Sequence, residues 1–260
     1  MQTIFAPRAM AATICPDVQM KVAATRDERR GAFELVYQSY LRAGLCAENR
    51  CGMRFTPYQL LDTTDIIIAK LRGDVISTVS LVRDGELGLP MEEIYPDEVA
   101  RRRDAGLRLA EVSCLADRRQ SASRFFQLFC ELSRVMAQLA NQVGVDELLV
   151  SVHPRHAPLY RRYMAFEQIG DRREYPTVCG NPAVALSLNF AHAQEHRPSS
   201  WEKFFGEPLP ADVLVSCPIS DEDREHFLSS AEPHTLSALN RLPHRSNRFA
   251  GKREACRCCA

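Results

Sequence analysis

Between Leu109 and Phe166 the chain gathers a carboxylate, a turn of arginines and serines, two histidines and two tyrosines. Leu109-Ala-Glu111-Val-Ser113-Cys114-Leu115-Ala reads as an apolar strand that carries one carboxylate. Next comes Arg118-Arg119-Gln-Ser121-Ala-Ser123-Arg124, and then a long amphipathic helix. A second strand runs into His153-Pro-Arg-His156-Ala-Pro-Leu-Tyr160-Arg-Arg-Tyr163. A helix N-terminus offers unpaired N–H groups and the positive end of a dipole, which together hold a phosphate. A strand carboxylate beside such a terminus suits the movement of an acyl group from a carrier thioester to an amine.

Aminolysis of a thioester needs a neutral amine, a polarised carbonyl and a place for the departing thiolate. An α-amino group is mostly protonated at neutral pH, so a base must take a proton from it. Glu111 is the candidate base, because an apolar strand raises a carboxyl pKa toward the working range by desolvation. The competing reading is a structural carboxylate paired with a nearby arginine. Backbone N–H groups around Ser113, Cys114 and Leu115 become oxyanion donors if the strand parts from its neighbour. His156, Tyr160 and Tyr163 share one stripe of a short helix, where packing against Phe166 competes with a role in the reaction. His153 and His156 lack a third ligand at metal spacing, so hydrogen bonding to substrate is the better reading. Arg118, Arg119, Ser121, Ser123 and Arg124 are the candidate phosphate cradle. Arg155, Arg161 and Arg162 would extend it into a basic rim.

The elements that must position these groups are those of a soluble globular chain. Of 260 residues, 45% are hydrophobic and 25% charged, and formal net charge is zero. Nothing global draws such a chain to nucleic acid or to an anionic membrane. No apolar run approaches the roughly 20 residues of a membrane-spanning helix. Ten cysteines are scattered through the chain, a pattern unlike a disulfide-stapled mini-domain. Cys256-Arg-Cys258-Cys259 lacks a partner pair at zinc-finger spacing. A reducing cytoplasm fits these features.

Residues 1–25 show no sustained period and read as a loose lead-in. Asp27 to Leu41 has helical spacing, and Ala43 to Thr56 reads as a long loop of the kind that is often functional. Asp65 to Leu71 and Val75 to Val82 form a hairpin across Arg72-Gly73-Asp74. Met91 to Ala105 is expected to be helical and Leu107 to Ala116 a central strand. Phe125, Leu128, Phe129, Leu132, Val135, Met136, Leu139 and Val143 make a 3.6-period stripe that ends at Gly144. Glu147 to His153 is the next strand, and Ala183 to Phe190 is the last. The βαβ unit at 107–153 supplies a parallel crossover. Residues 26–191 thus form one α/β (α+β) domain, a mixed twisted sheet with helices on both faces. Residues 192–233 read as a helical appendage and 234–260 as a mobile tail.

This order, with Glu111 on the first strand of the βαβ unit, resembles the GNAT acyltransferase fold. Within it the chain resembles the long-chain N-acyl amino acid synthases, relatives of the acyl-homoserine lactone synthases. The resemblance rests on Glu111-Val-Ser-Cys-Leu-Ala, His153-Pro-Arg-His156-Ala-Pro-Leu-Tyr160-Arg, Ala165-Phe166-Glu167 and Tyr175-Pro-Thr-Val-Cys-Gly-Asn181-Pro182-Ala183. It spans about Asp27 to Phe190. By analogy, Tyr160 protonates the leaving thiolate, Glu111 and the Ser113 region do the acyl chemistry, and Cys114, Leu115, His153, His156 and Tyr163 meet substrate.

Two departures refine what the resemblance implies. CoA-dependent GNAT enzymes have a glycine-rich turn where this chain has Arg118 to Arg124 without a glycine. A phosphopantetheine arm brings one phosphodiester, for which serines, arginines and a helix N-terminus suffice. That favours acyl carrier protein over CoA as donor, with no resident cofactor and no metal. The lactone synthases show Glu-x-x-Arg on this strand, and here that arginine position is Cys114. Their acidic pattern is also not clear around Asp62 and Asp65. The expected activity is transfer of a long-chain acyl group from acyl carrier protein to the α-amine of an amino acid. The alternatives are a CoA-dependent N-acetyltransferase and a catalytically silent acyl-carrier or lipid-binding module.

Overall fold

The computed structural model describes residues 17–118, 121–199 and 201–242. Seven strands form one mixed sheet: β1 (Val18–Val22), β2 (Thr64–Leu71), β3 (Asp74–Arg83), β4 (Leu109–Asp117), β5 (Glu147–Val152), β6 (Glu167–Tyr175) and β7 (Asn181–Asn189). Their spatial order is β1-β2-β3-β4-β5-β7-β6. Every neighbouring pair is antiparallel except β4 and β5. Among the described residues seven α-helices accompany them: α1 (Arg26–Arg42), α2 (Pro96–Asp104), α3 (Ala122–Gln142), α4 (Ala157–Met164), α5 (Phe190–His196), α6 (Asp221–Leu228) and α7 (Pro233–Asn240).

Local chemistry explains the boundaries that matter here. β2 and β3 join through Arg72 and Gly73, at φ +53 and +91, with Leu71 opposite Asp74. Two residues of positive φ make a type I′ hairpin. α1 opens on a capping box in which Thr25 accepts from Glu28 N and Glu28 accepts from Thr25 N. The long α3 starts at Ser121, whose hydroxyl accepts from Arg124 N at 3.3 Å. Gly144, at φ +81, takes the left-handed position just past its end.

The sheet is covered on both faces. α3 lays Leu128, Phe129, Leu132, Val135, Met136 and Leu139 on one face, against Ile67, Ile76, Val79, Leu81 and Val112. On the other face Phe33 and Val36 of α1 meet Ile66, Ile68, Val75, Cys114 and Ala116. A third cluster joins Tyr95 and Val99 to Val82, Leu109, Leu149 and Ala185. The register there is tight: a side chain at Gly170 would meet the Tyr95 ring at 2.8 Å.

Four sequence expectations change. Residues 18–22 are not lead-in but an edge strand paired along β2. Met91 to Ala105 is broken into a 3-10 turn at Pro90–Glu93 and α2, because Pro96 has no N–H with which to continue the turn. β6 was missing from the sequence reading. It is a sheet edge whose charged, mostly exposed residues hide the strand period. The expected mobile tail is helical through Asn240, with Thr235 fully buried, while 243–260 lie outside the described residues. The segment after α5 crosses from one face to the other, putting Phe204 and Leu214 in the α3 cluster and Ile219 and Phe227 in the α1 cluster.

Candidate active site

β4 and β5 pair only at Leu109–Glu147, Ala110–Leu148 and Glu111–Leu149, although β4 runs on to Asp117 and β5 to Val152. Beyond Glu111 the two strands part, and the sheet opens. On its other side β4 stays paired to β3 across a bulge. Ser80 faces Ser113 and Thr78 faces Ala116, leaving Cys114 and Leu115 together opposite Val79. Cys114 takes φ +54, in the left-handed region, at a cost of about 1 kcal/mol for a side-chain-bearing residue. A bulge at the wall of an opening re-aims the main chain there.

Glu111 stands where the pairing stops. It is 3% exposed, and its Oε2 accepts from Met91 N at 2.7 Å. Among the described residues no arginine or lysine forms an ion pair with it. Burial pushes its pKa up to about 8, against the Met91 N–H and with help from the Glu92 charge. Two tyrosines lie close enough to feel its charge. Tyr58 is pushed up to about 12, chiefly by burial and then by Glu111. Tyr175 is raised for the same two reasons, and its hydroxyl donates to Pro90 O at 3.0 Å.

The two-residue strand period sets which groups share the Glu111 face. Leu109 and Leu149 sit together in the third cluster, so Glu111, Ser113 and Ser151 project on that side. Ser151 Oγ is buried with no partner among the described residues. Two loops are tied to each other by side chains that donate to main-chain oxygens. Arg54 Nη2 in the α1–β2 loop donates to Thr177 O in the β6–β7 turn at 2.8 Å, and Asn181 Nδ2 donates to Gly44 O at 3.3 Å.

The opposite face is apolar. A cavity beside the bulge is lined by Val79, Val112, Leu115, Phe129, Tyr160 and Phe166, among others. Its walls Met136, Met164 and Phe166 also line a second cavity, reaching Trp201, Phe204 and Phe205. Both are small, and they share these walls beneath α3. Tyr160 is 6% exposed, with ring centroids 5.7 Å from Phe129 and 5.6 Å from Phe166. Burial raises its pKa, which keeps the phenol protonated.

The other expected site residues divide. Leu115 faces the apolar cavity, whereas the Cys114 thiol turns to the α1 side, 3.6 Å from Gln59 Nε2 and from Ser113 Oγ. Ser121 and Ser123 are exposed at the start of α3, their hydroxyls 3.4 Å apart. Arg124 is half-buried, and its Nη2 is buried without a partner among the described residues. Arg118 is exposed and pairs with Asp74 at 3.2 Å. Arg119 lies outside the described residues. His153 Nδ1 accepts from Arg155 N at 3.2 Å, and its pKa is held down by burial first and then by Arg155 and Arg172. His156 is exposed beside Arg155, with Nε2 3.1 Å from Nε. Tyr163 is 45% exposed and packs edge-on to Phe126. Neither histidine nor Tyr163 lines the apolar cavities, and Phe125 and Phe126 do not line them either. Asp65 is committed elsewhere, accepting from Ser216 Oγ and Cys217 N. Among the described residues no cluster of three His, Cys, Asp or Glu is placed to hold a metal. No described helix is long and apolar enough to cross a membrane.

Arg54, Tyr58, Ser151 and Tyr175 received no role from the sequence. The only signal was that Arg54 lies in a long loop and Tyr175 in a segment carrying the family resemblance.

Residues 31–189 match the family model described as N-acyl amino acid synthase FeeM. That is more than half of the chain, and the chain belongs to this family; it is an N-acyltransferase. Its fold is shared with the structure of FeeM, an N-acyl amino acid synthase from uncultured soil microbes. The TM-score is 0.59 at 24% identity, over 68% of this chain and 93% of that one. The acyl-homoserine lactone synthase LasI follows with a TM-score of 0.54 at 16% identity, over 74% and 96%. BjaI, described as a CoA-dependent acyl-homoserine lactone synthase solved with SAM and isopentyl-CoA, gives 0.52 at 11%, over 82% and 99%. Among curated proteins, none matches the chain.

Proposed function

We propose that this N-acyltransferase moves a long-chain acyl group from acyl carrier protein to the α-amine of an amino acid. The observation that carries the reading is Glu111, buried without a counter-ion where β4 and β5 part. One side of that opening holds two small apolar cavities, and on the other side this reading places a polar chamber for the acceptor.

In this reading the acyl chain enters on the apolar side, where the side chains around the two cavities must part to admit it, and the amino acid lies in the chamber. Glu111 takes a proton from the acceptor ammonium, and the neutral nitrogen attacks the thioester carbon. Main-chain N–H groups of the bulge at Cys114 and Leu115 hold the oxyanion. The intermediate collapses with cleavage of the C–S bond. Tyr160 donates its proton to the departing sulfur, the nitrogen gives up its second proton, and solvent restores both side chains. The products are an amide, a thiol and one released proton.

Two features support acyl carrier protein as donor. The turn before α3 has no glycine to let the main chain crowd around a pyrophosphate, while Ser121, Ser123 and the uncommitted Arg124 Nη2 suit a single phosphodiester. Exposed Arg155, Arg161 and Arg162 stand on the same side of the sheet as α4 and would steer an acidic carrier.

Purified protein is given long-chain acyl carrier protein, the matching acyl-CoA and acetyl-CoA, each with mixed amino acids, and products are read by mass spectrometry. Long-chain N-acyl amino acids formed fastest from the carrier protein are expected. Preference for acetyl-CoA, or no product from any thioester, overturns the reading.

A further inference from the structure

The proposed chemistry gives Arg54 no part, and the fold uses its main chain, its stacking face and one guanidinium nitrogen. Its main-chain N donates to Phe33 O at 3.0 Å, which fixes the loop on α1. Its guanidinium carbon lies 5.1 Å from the centre of the Tyr40 ring, a cation–π contact that supports the charge without neutralising it. One nitrogen, Nη2, donates to Thr177 O. Nε is buried and has no partner among the described residues, and no described carboxylate pairs with the guanidinium. A buried guanidinium N–H left unmade costs about 1–3 kcal/mol, and an acceptor from solvent or substrate would relieve that cost.

Its position says which acceptor. Tyr40, under the guanidinium, lies on α1 against the strand that carries the bulge, and Gln59, five residues after Arg54, reaches the Cys114 thiol. The charges of Arg54 and Glu111 both act on that thiol, in opposite senses and after the effect of burial. The Gln59–Cys114 contact thus ties the loop that carries Arg54 to the strand that carries Glu111. A cation at one side and a proton-accepting carboxylate at the other complement a zwitterion, with ammonium toward Glu111 and carboxylate toward Arg54. A planar guanidinium with Nε open suits a carboxylate, because two N–H groups can meet two oxygens.

We propose that Arg54 is the residue that binds the α-carboxylate of the acceptor, and so restricts acceptors to amines with a free adjacent carboxylate. This rests on the reading of the chamber as the amino acid site.

The test needs a measurement that survives without turnover. Binding of an N-dodecanoyl amino acid and of its carboxamide is measured by calorimetry for the wild type, Arg54→Lys and Arg54→Gln. Kinetics with free amino acids and amino acid amides run beside it. The wild type should bind the carboxylate about 10- to 100-fold tighter than the amide, the size of a charge-assisted pair. Arg54→Gln should erase that ratio, and Arg54→Lys should restore part of it. KM for the amino acid should rise by a similar factor in Arg54→Gln, with KM for the acyl donor unchanged. The ratio within one variant cancels any loss of folded protein. A ratio that stays the same in Arg54→Gln overturns the inference, even with an active enzyme. Intact discrimination in a protein that transfers no acyl group overturns the proposed reaction instead and leaves Arg54 in its role.

Discussion

Glu28 and Glu111 are both nearly fully buried carboxylates, 6% and 3% exposed, and their surroundings send them in opposite directions. Glu28 ties the start of α1 to the sheet edge. Its Oε1 lies 3.0 Å from Lys21 Nζ and 2.8 Å from Lys70 Nζ, and its Oε2 accepts from Ala24 N. Burial works against its charge, but Lys70, Ala24 N and Lys21 win and hold the pKa at about 2. Glu111 receives one main-chain N–H and no cation, and burial wins. The teaching is in the partners: burial alone does not set a carboxylate's state, the groups that meet it do. The corner around Glu28 is saturated. Among the described residues no lysine or arginine meets Glu111 in the same way.

The largest effect that could break this contrast is expected at Glu111. Glu111→Gln should lower kcat/KM by about 10³-fold, the range for loss of a general base, and the same variant should melt higher. The sign follows from the raised pKa. Between the ordinary glutamate range and pH 8 the folded state holds a proton that the unfolded state has lost, so stability falls as pH rises through that window. Glutamine removes the penalty, and calorimetry should show Tm rising by roughly 5 °C at pH 8 and little at pH 4. A lower Tm at pH 8 would make Glu111 a structural residue.

Tyr160→Phe is next. The ring packing with Phe129 and Phe166 survives while the proton donor goes, so kcat should drop about 10- to 100-fold with little change in Tm. An unchanged kcat would leave Tyr160 as packing alone. Steady-state rates for the wild type across pH 6 to 10 should rise with an apparent pKa near 8. A flat profile would separate Glu111 from the rate-limiting proton transfer.

Glu28→Gln should do the reverse of Glu111→Gln, leaving turnover per folded molecule unchanged and costing about 2–4 kcal/mol by stranding two lysines. Here the folded pKa is depressed. The contribution of Glu28 is present above the ordinary glutamate range and is lost as pH falls from about 5 toward 2. Urea melts at pH 7 and pH 3 should show the gap between wild type and variant closing. The smallest effect belongs to the exposed rim: Arg162→Glu should lower kcat/KM for an acyl carrier protein donor about 3- to 10-fold at low salt and less at high salt.

The sequence by itself determined the frame of this protein. The apolar run from Leu107 to Ala116 marked a central strand with Glu111 on it, and the stripe from Phe125 to Val143 made the following helix, because such patterns are local and each is written in consecutive residues. Tertiary structure decided the rest. No period announces that β4 and β5 stop pairing after Glu111, or that Cys114 turns to the α1 side while Leu115 lines the apolar cavity. Arg54 and Thr177 are 123 residues apart in the chain and meet through two loops. The edge strand β6 stayed hidden because its exposed residues are polar, as edges are. Where two loops meet, and which polar atom is left over when they do, are properties of long-range contacts. No window of neighbouring residues contains them.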